Sequence, residues 1–241
     1  MSISKRRVRA IFRKELREYR RNGSLVIGAM AVLPLIFVIT PLIDIFAVPA
    51  SAAGGLRTGD PLLYMLGIPA IVPAAIAAYS VVGERQQGTL EPVLTTPIRR
   101  EEFLLGKALA ALVPSLAIAY AVYTLVLASV ELFAQPAVAS ALLRGPEILA
   151  QLLFTPLLAG WSIWVGIAIS TRARDVRVAQ QLGMLANLPS IMLTTLIAYN
   201  VIHATPGLAL GLAAALLLLN GLGWRLTSAA FDRERLIAGT R

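Results

Sequence analysis

Long windows of this chain pass without a charge. Residues 24–43, 61–83, 148–170, 178–202 and 206–224 hold no Asp, Glu, Lys or Arg, and 103–130 holds only Lys107. A helix of about 20 residues crosses a hydrocarbon core of roughly 30 Å, whereas a membrane β-strand would show alternating segments of about 10 residues. These runs are continuous, so the expected fold is an all-α polytopic membrane protein with six transmembrane helices over those six windows. Composition agrees: 57% of the 241 residues are hydrophobic and 15% are charged, against about 25% charged in an ordinary soluble domain. The polar remainder is a 1–23 N-terminal segment, an 84–102 loop and a 225–241 tail, with 24–224 as the transmembrane domain.

Basic residues set the expected orientation. With the N terminus cytosolic, 20 of the 22 Lys and Arg fall on the inner side, and only Arg57 and Arg144 fall outside. That asymmetry is the positive-inside pattern. It accounts for the formal charge of +9 as a topology signal and argues against nucleic acid as a partner. Ala50-Ser51-Ala52 resembles a signal-peptide cleavage site, but the apolar run before it is longer than the usual 7–15 residues or so. Span one is therefore expected to stay. Cysteine is absent, so the chain forms no disulfide.

The N-terminal segment reads as an amphipathic helix. Val8, Ile11, Phe12, Leu16 and Tyr19 form one stripe, while Arg9, Arg13, Lys14, Arg17, Arg20 and Arg21 occupy the other face. Such a helix is expected to lie in the headgroup region, apolar face toward the bilayer and basic face toward anionic lipid.

The loop after span two has its own architecture. Glu84-Arg85-Gln86-Gln87 continues the span into water, and Gly88 is placed to end it. Thr89 can cap a short helix with Leu90-Glu91-Pro92 in its first turn. Pro97 turns Thr96 away from helix, and Glu101 and Glu102 mark the start of span three. Leu90 and Leu94 share a face at i, i+4, the pattern of a small docking surface, although self-packing beneath the bundle is also open.

The run Glu84-Arg85-Gln86-Gln87-Gly88-Thr89-Leu90-Glu91, then Thr96-Pro97-Ile98, then Glu102-Phe103-Leu104-Leu105-Gly106-Lys107, resembles the signature of ABC-2-type transporter permeases. Lys14-Glu15-Leu16-Arg17-Glu18 and Phe231-Asp232-Arg233-Glu234-Arg235-Leu236 agree with it, and Pro92 departs from it. The resemblance implies the permease subunit of an ATP-driven exporter. Its 84–102 loop would form a coupling helix docking on a separate P-loop ATPase subunit, and a second permease chain, identical or sister, would complete the assembly. Gly88, Thr89, Leu90 and Glu91 are then the first docking candidates; Glu84, Arg100 and the loop 171–177 come second. ATP and Mg are expected in the partner, and this chain is expected to bind neither cofactor nor metal. It is not expected to be an enzyme, because a P-loop requires G-x-x-x-x-G-K-[ST]. Here Gly106-Lys107 is followed by Ala108, with Glu101 where the first glycine belongs.

No catalytic constellation stands out. His203 lies in a short outer turn, while Asp44, Asp60, Glu131 and Glu147 sit at outer span ends. Ion-coupled carriers keep ionisable groups at depth. Here mid-membrane polarity is limited to neutral groups such as Tyr120, Tyr123, Thr124, Ser162, Asn187, Thr194, Thr195 and Asn220, which fit either interhelical hydrogen bonds or a substrate path. An ATP-independent channel or carrier, and a scaffold recruiting a cytosolic protein, are the alternatives. Gly207 and Gly211 hint at close helix packing.

Overall fold

The computed structural model describes residues 3–21, 23–47, 61–88 and 98–230. Among them all regular structure is helical. In chain order the α-helices are α1 (Lys5–Arg21), α2 (Gly23–Ala47), α3 (Gly67–Gln86, led in by a 3₁₀ turn over Pro61–Leu66), α4 (Arg100–Phe133), α5 (Pro136–Leu142), α6 (Gly145–Arg172), α7 (Val176–Ala198) and α8 (Pro206–Ala230). Six segments are long and apolar enough to cross a membrane: Met30–Ala47, Pro61–Gln86, Arg100–Phe133, Gly145–Arg172, Val176–Ala198 and Pro206–Ala229. The all-α polytopic fold stands. α2, α4 and α6 outrun their apolar windows at both ends, and α3 and α8 at their C-terminal ends, because helix continues into polar surroundings. Residues 199–202, expected within span five, form turns instead. The short α5 carried no periodic signal, and α8 runs past Trp224 into the expected tail.

The centre of the bundle is α3. Its window is 94% buried, against 6% for that of α8. The composition explains this: Ala70, Ala74, Ala75, Ala77 and Ala78 present little side chain, so neighbours approach closely. α6 lies against it most extensively and α7 next. At the α3–α6 crossing a β-carbon on Gly166 would stand 2.8 Å from the Ala74 carbonyl and 2.9 Å from the Ala77 side chain, so only glycine fits. Ser162 donates across the same contact to the Ala70 carbonyl at 2.7 Å, and Gln180 of α7 to that of Ala75 at 3.2 Å.

α8 is fastened to α6 along one edge. Asn220 donates to the Leu157 carbonyl at 2.9 Å and fills the space a Gly160 side chain would need. Gly223 in turn leaves room for Trp164, whose ring meets Trp224 edge-on at 5.3 Å. Gly207 and Gly211 face open space instead, so among the described residues the close packing expected of them is not made. Several neutral polar groups bind helix backbone: Tyr120 donates to the Leu152 carbonyl, and Thr124, Asn187 and Thr194 donate within their own helices. At the far end Tyr199 donates to Asp44 at 3.0 Å, and Arg144 pairs with Glu147.

Candidate functional site

The loop expected to dock a partner lies between α3 and α4, and residues 89–97, including Thr89, Leu90 and Glu91, fall outside the described residues. What the structure does show is how both ends of the loop are held. α3 ends at Gln86 and turns at Gly88, whose φ of +67° is the left-handed conformation that a β-carbon disfavours. Gly88 is exposed. So is Arg100, which pairs loosely with Glu101 at 3.8 Å.

Glu84 is placed otherwise. It was expected on the docking surface, yet only 3% of it is exposed, and its carboxylate faces inward to Lys14 and to Lys107, 3.2 Å from the latter. Lys107 is fully buried. Its ammonium donates to Glu15 at 2.8 Å and to the Ser80 carbonyl at 2.6 Å, and sits 4.9 Å from the centre of the Phe103 ring. Glu84 is its third neighbour, as an ion pair. The two ends of the signature, its first Glu and its last Lys, thus meet in space. The third component is α1, which brings Glu15, with Lys14 also pairing to Glu18 at 3.1 Å.

Clustered carboxylates of Glu15, Glu18 and Glu84 have the look of a cation site. The ammonium groups of Lys14 and Lys107 already occupy the space between them, so this is an internal ion network. Burial pushes the Glu15 carboxyl above the usual carboxylate range, against the opposing pull of Lys107. For Lys14 burial acts downward, but Glu84, Glu15 and Glu18 together hold it above the usual lysine range. The Tyr19 phenol, buried beside the same carboxylates, is pushed well above its ordinary value.

A second fastening lies at the start of α4. Glu102 accepts from the Ser4 amide at 2.9 Å, from Arg7 at 3.2 Å and from the Arg99 amide at 3.2 Å. One carboxylate therefore serves the N-termini of both α1 and α4, where amides lack helical partners and the helix dipole favours negative charge. Between the two fastenings α1 crosses α4 at Gly106, where a β-carbon would stand 2.6 Å from the Ile11 side chain and 3.3 Å from the Val8 carbonyl. The apolar stripe expected to face lipid is thus turned largely toward protein: Ile11 and Tyr19 are buried, with Phe12 and Leu16 packed beside them.

The other flank is tied to the turn between α6 and α7. Arg85 donates to the Thr171 and Ala173 carbonyls at 3.0 and 2.9 Å, capping the C-terminus of α6. Gln86 donates to Asp175 at 3.3 Å, and Asp175 in turn caps α7 through the amides of Arg177 and Val178. Those amide bonds hold its carboxyl below the usual range. Glu84, Arg85 and Gln86 therefore link the loop to α1 and α4 on one side and to α6 and α7 on the other.

Sequence reasoning missed the network, though two signals pointed to it. Glu15 stands one turn from Ile11 and one turn from Tyr19, within the apolar stripe, and Lys107 is the lone charge of its span. Charges on two faces that must both be buried have to find one another.

The family model described as ABC-2 family transporter protein matches residues 9–224, and the chain belongs to that family. No curated protein matches it. The chain is thus a multi-pass membrane permease of the ABC-transporter class, whose members associate in general with an ABC ATPase.

Proposed function

We propose that this permease couples ATP hydrolysis on a separate P-loop subunit to export of a substrate, the loop between α3 and α4 receiving the motion. The observation that carries the reading is the double fastening of that loop. A displacement at 89–97 pulls on Glu84 and Lys107, and through them on α1, α3 and α4, while Arg85 and Gln86 pull on the ends of α6 and α7. A loop that merely connected two spans would need none of these bonds. Gly88, Thr89, Leu90, Glu91 and Arg100 form the docking surface, joined by the exposed face of the 171–177 turn; Glu84 holds that surface in place from beneath. The chain carries no P-loop in its sequence, so ATP and Mg belong to the partner. Two permease chains with two ATPase subunits make the assembly, with both termini and the loop cytosolic in the plasma membrane, as the distribution of Lys and Arg supports.

The test is affinity capture of the chain from its native membranes in mild detergent, before and after crosslinking. A stoichiometric P-loop protein is expected in the eluate, lost or uncoupled in Leu90→Asp and Gly88→Val while membrane insertion persists. Capture of the chain without an ATPase under both conditions would move the reading to an ATP-independent channel or a scaffold.

A further inference from the structure

On the membrane half away from the loop, α6, α7 and α8 line a slot of about 260 Å³ that is open along one side. It exists because α8 packs chiefly on α6 and makes little contact with α7, although only a short turn joins those two helices. Leu63, Leu66, Phe154 and Leu158, which with Ala198 make a small core separate from the main one, line it from within the bundle. Along α8 the lining runs from Thr205 to Leu219, roughly 21 Å at 1.5 Å per residue.

Even the whole void of about 1000 Å³, spread over that length, leaves a section narrower than the roughly 10 Å diameter of a helix. A helix of a second copy or of another protein could lie across the mouth of the slot, but its body cannot enter. The interior offers little that is polar: besides Ser190, Thr194 donates its hydroxyl to the Ile191 carbonyl, and Thr205 accepts from the Leu208 amide. Water has too few partners to be held there. One end reaches Ala204 and Thr205 at the turn, level with the polar end of the bundle, and the other lies at depth beside Leu158 and Leu219.

We propose that the slot binds one acyl chain of a membrane phospholipid, the headgroup resting at the 199–205 turn and the tail lying along α8. This goes beyond the coupling reading and stands without it, because the slot and the loop occupy opposite ends of the bundle. The occupant is a bilayer component entering from the side, held by shape and dispersion contacts.

The full-length chain is reconstituted in dioleoylphosphatidylcholine vesicles doped with phosphatidylcholine carrying a diazirine on its tail, irradiated, and mapped by mass spectrometry. Label on 189–197 and 204–219 should exceed that on Val32, Ile36, Ile39 and Ile43, the exposed face of α2, by several-fold, and unlabelled phospholipid of the same chain length should compete it away. Ala209→Phe, which fills the slot, should reduce the slot label several-fold and leave the α2 label unchanged. Should that variant not fold, Ala215→Leu on the same wall gives the same reading. Equal labelling of the two faces, or slot label unaffected by the filling residue, overturns the proposal. So does an intermolecular disulfide through Leu208→Cys, which would assign the slot to a second copy.

Discussion

Replacing Lys107 by methionine isolates what the ion network contributes. The substitution keeps length and apolar volume but removes the ammonium from a fully buried position, leaving Glu15 at 1% and Glu84 at 3% exposure. Breaking a buried ion pair from one side costs about 3–5 kcal/mol, whereas replacing the whole group by uncharged residues is often close to neutral. Lys14 still reaches both carboxylates, so the lower end applies, about 3 kcal/mol. At tenfold per 1.4 kcal/mol, the population with α1 undocked rises roughly 150-fold. Trypsin cleavage after Arg13 and Arg17 in detergent reads that population, because cleavage of a helix requires its local opening. Lys107→Met alone should accelerate those cuts roughly a hundredfold. The triple variant with Glu15→Gln and Glu84→Gln should return to within about tenfold of the native rate. The reasoning fails if the triple variant is cut as fast as the single one, since the loss would then be one of packing rather than charge. It fails equally if the single variant is cut at the native rate.

Other substitutions test other contacts. Gly166→Ala sets a β-carbon 2.8 Å from the Ala74 carbonyl and should lower thermal stability in detergent by about 1–3 kcal/mol, while Gly183→Ala, with 3.7 Å to the same carbonyl, should be nearly silent. Asn220→Leu loses the bond to the Leu157 carbonyl and overfills the Gly160 notch; faster hydrogen exchange confined to α8 is the expected result, and exchange spread evenly over the bundle would count against it. The carboxyl of Asp175 is held below its usual range by two backbone amides. Its contribution is therefore present above its unfolded value of about 3.9 and lost as pH falls through the lower folded value. The melting difference between the native chain and Asp175→Ala should accordingly be full at neutral pH and shrink toward acid; a difference independent of pH would contradict that assignment.

The spans were legible in the sequence because a hydrocarbon medium admits only long apolar helices, and counting charges suffices to find them. Their ends were less so: the chain does not announce where helix outlasts apolarity, as Arg100–Glu102 and Leu226–Thr227 show by continuing it. Gly88 was legible from local chemistry alone, since ending a helix in a left-handed turn is a property of one residue. The contacts of Glu84 were not. Its partners are 70 residues earlier and 23 later, and nothing local distinguishes a carboxylate that leaves the membrane for water from one that turns inward. The amphipathic stripe of α1 was read correctly as a buried face and assigned the wrong cover, because lipid and protein reward the same apolar pattern.

The order in which these residues are made gives the fastening of α1 another meaning. α1 leaves the ribosome before α3 and α4, with Glu15 already set in its apolar face, and its charge partners follow only with those two helices. Glu84, Glu102 and Lys107 reach the side of the membrane where α1 waits only if the helices between have crossed in the right number and direction. A chain that skips or inverts a crossing leaves Lys107 without its carboxylates and Glu102 without the amide of Ser4. Assembly of this cluster is thereby a check on topology, closing over α1 only when the first half of the bundle has been threaded correctly.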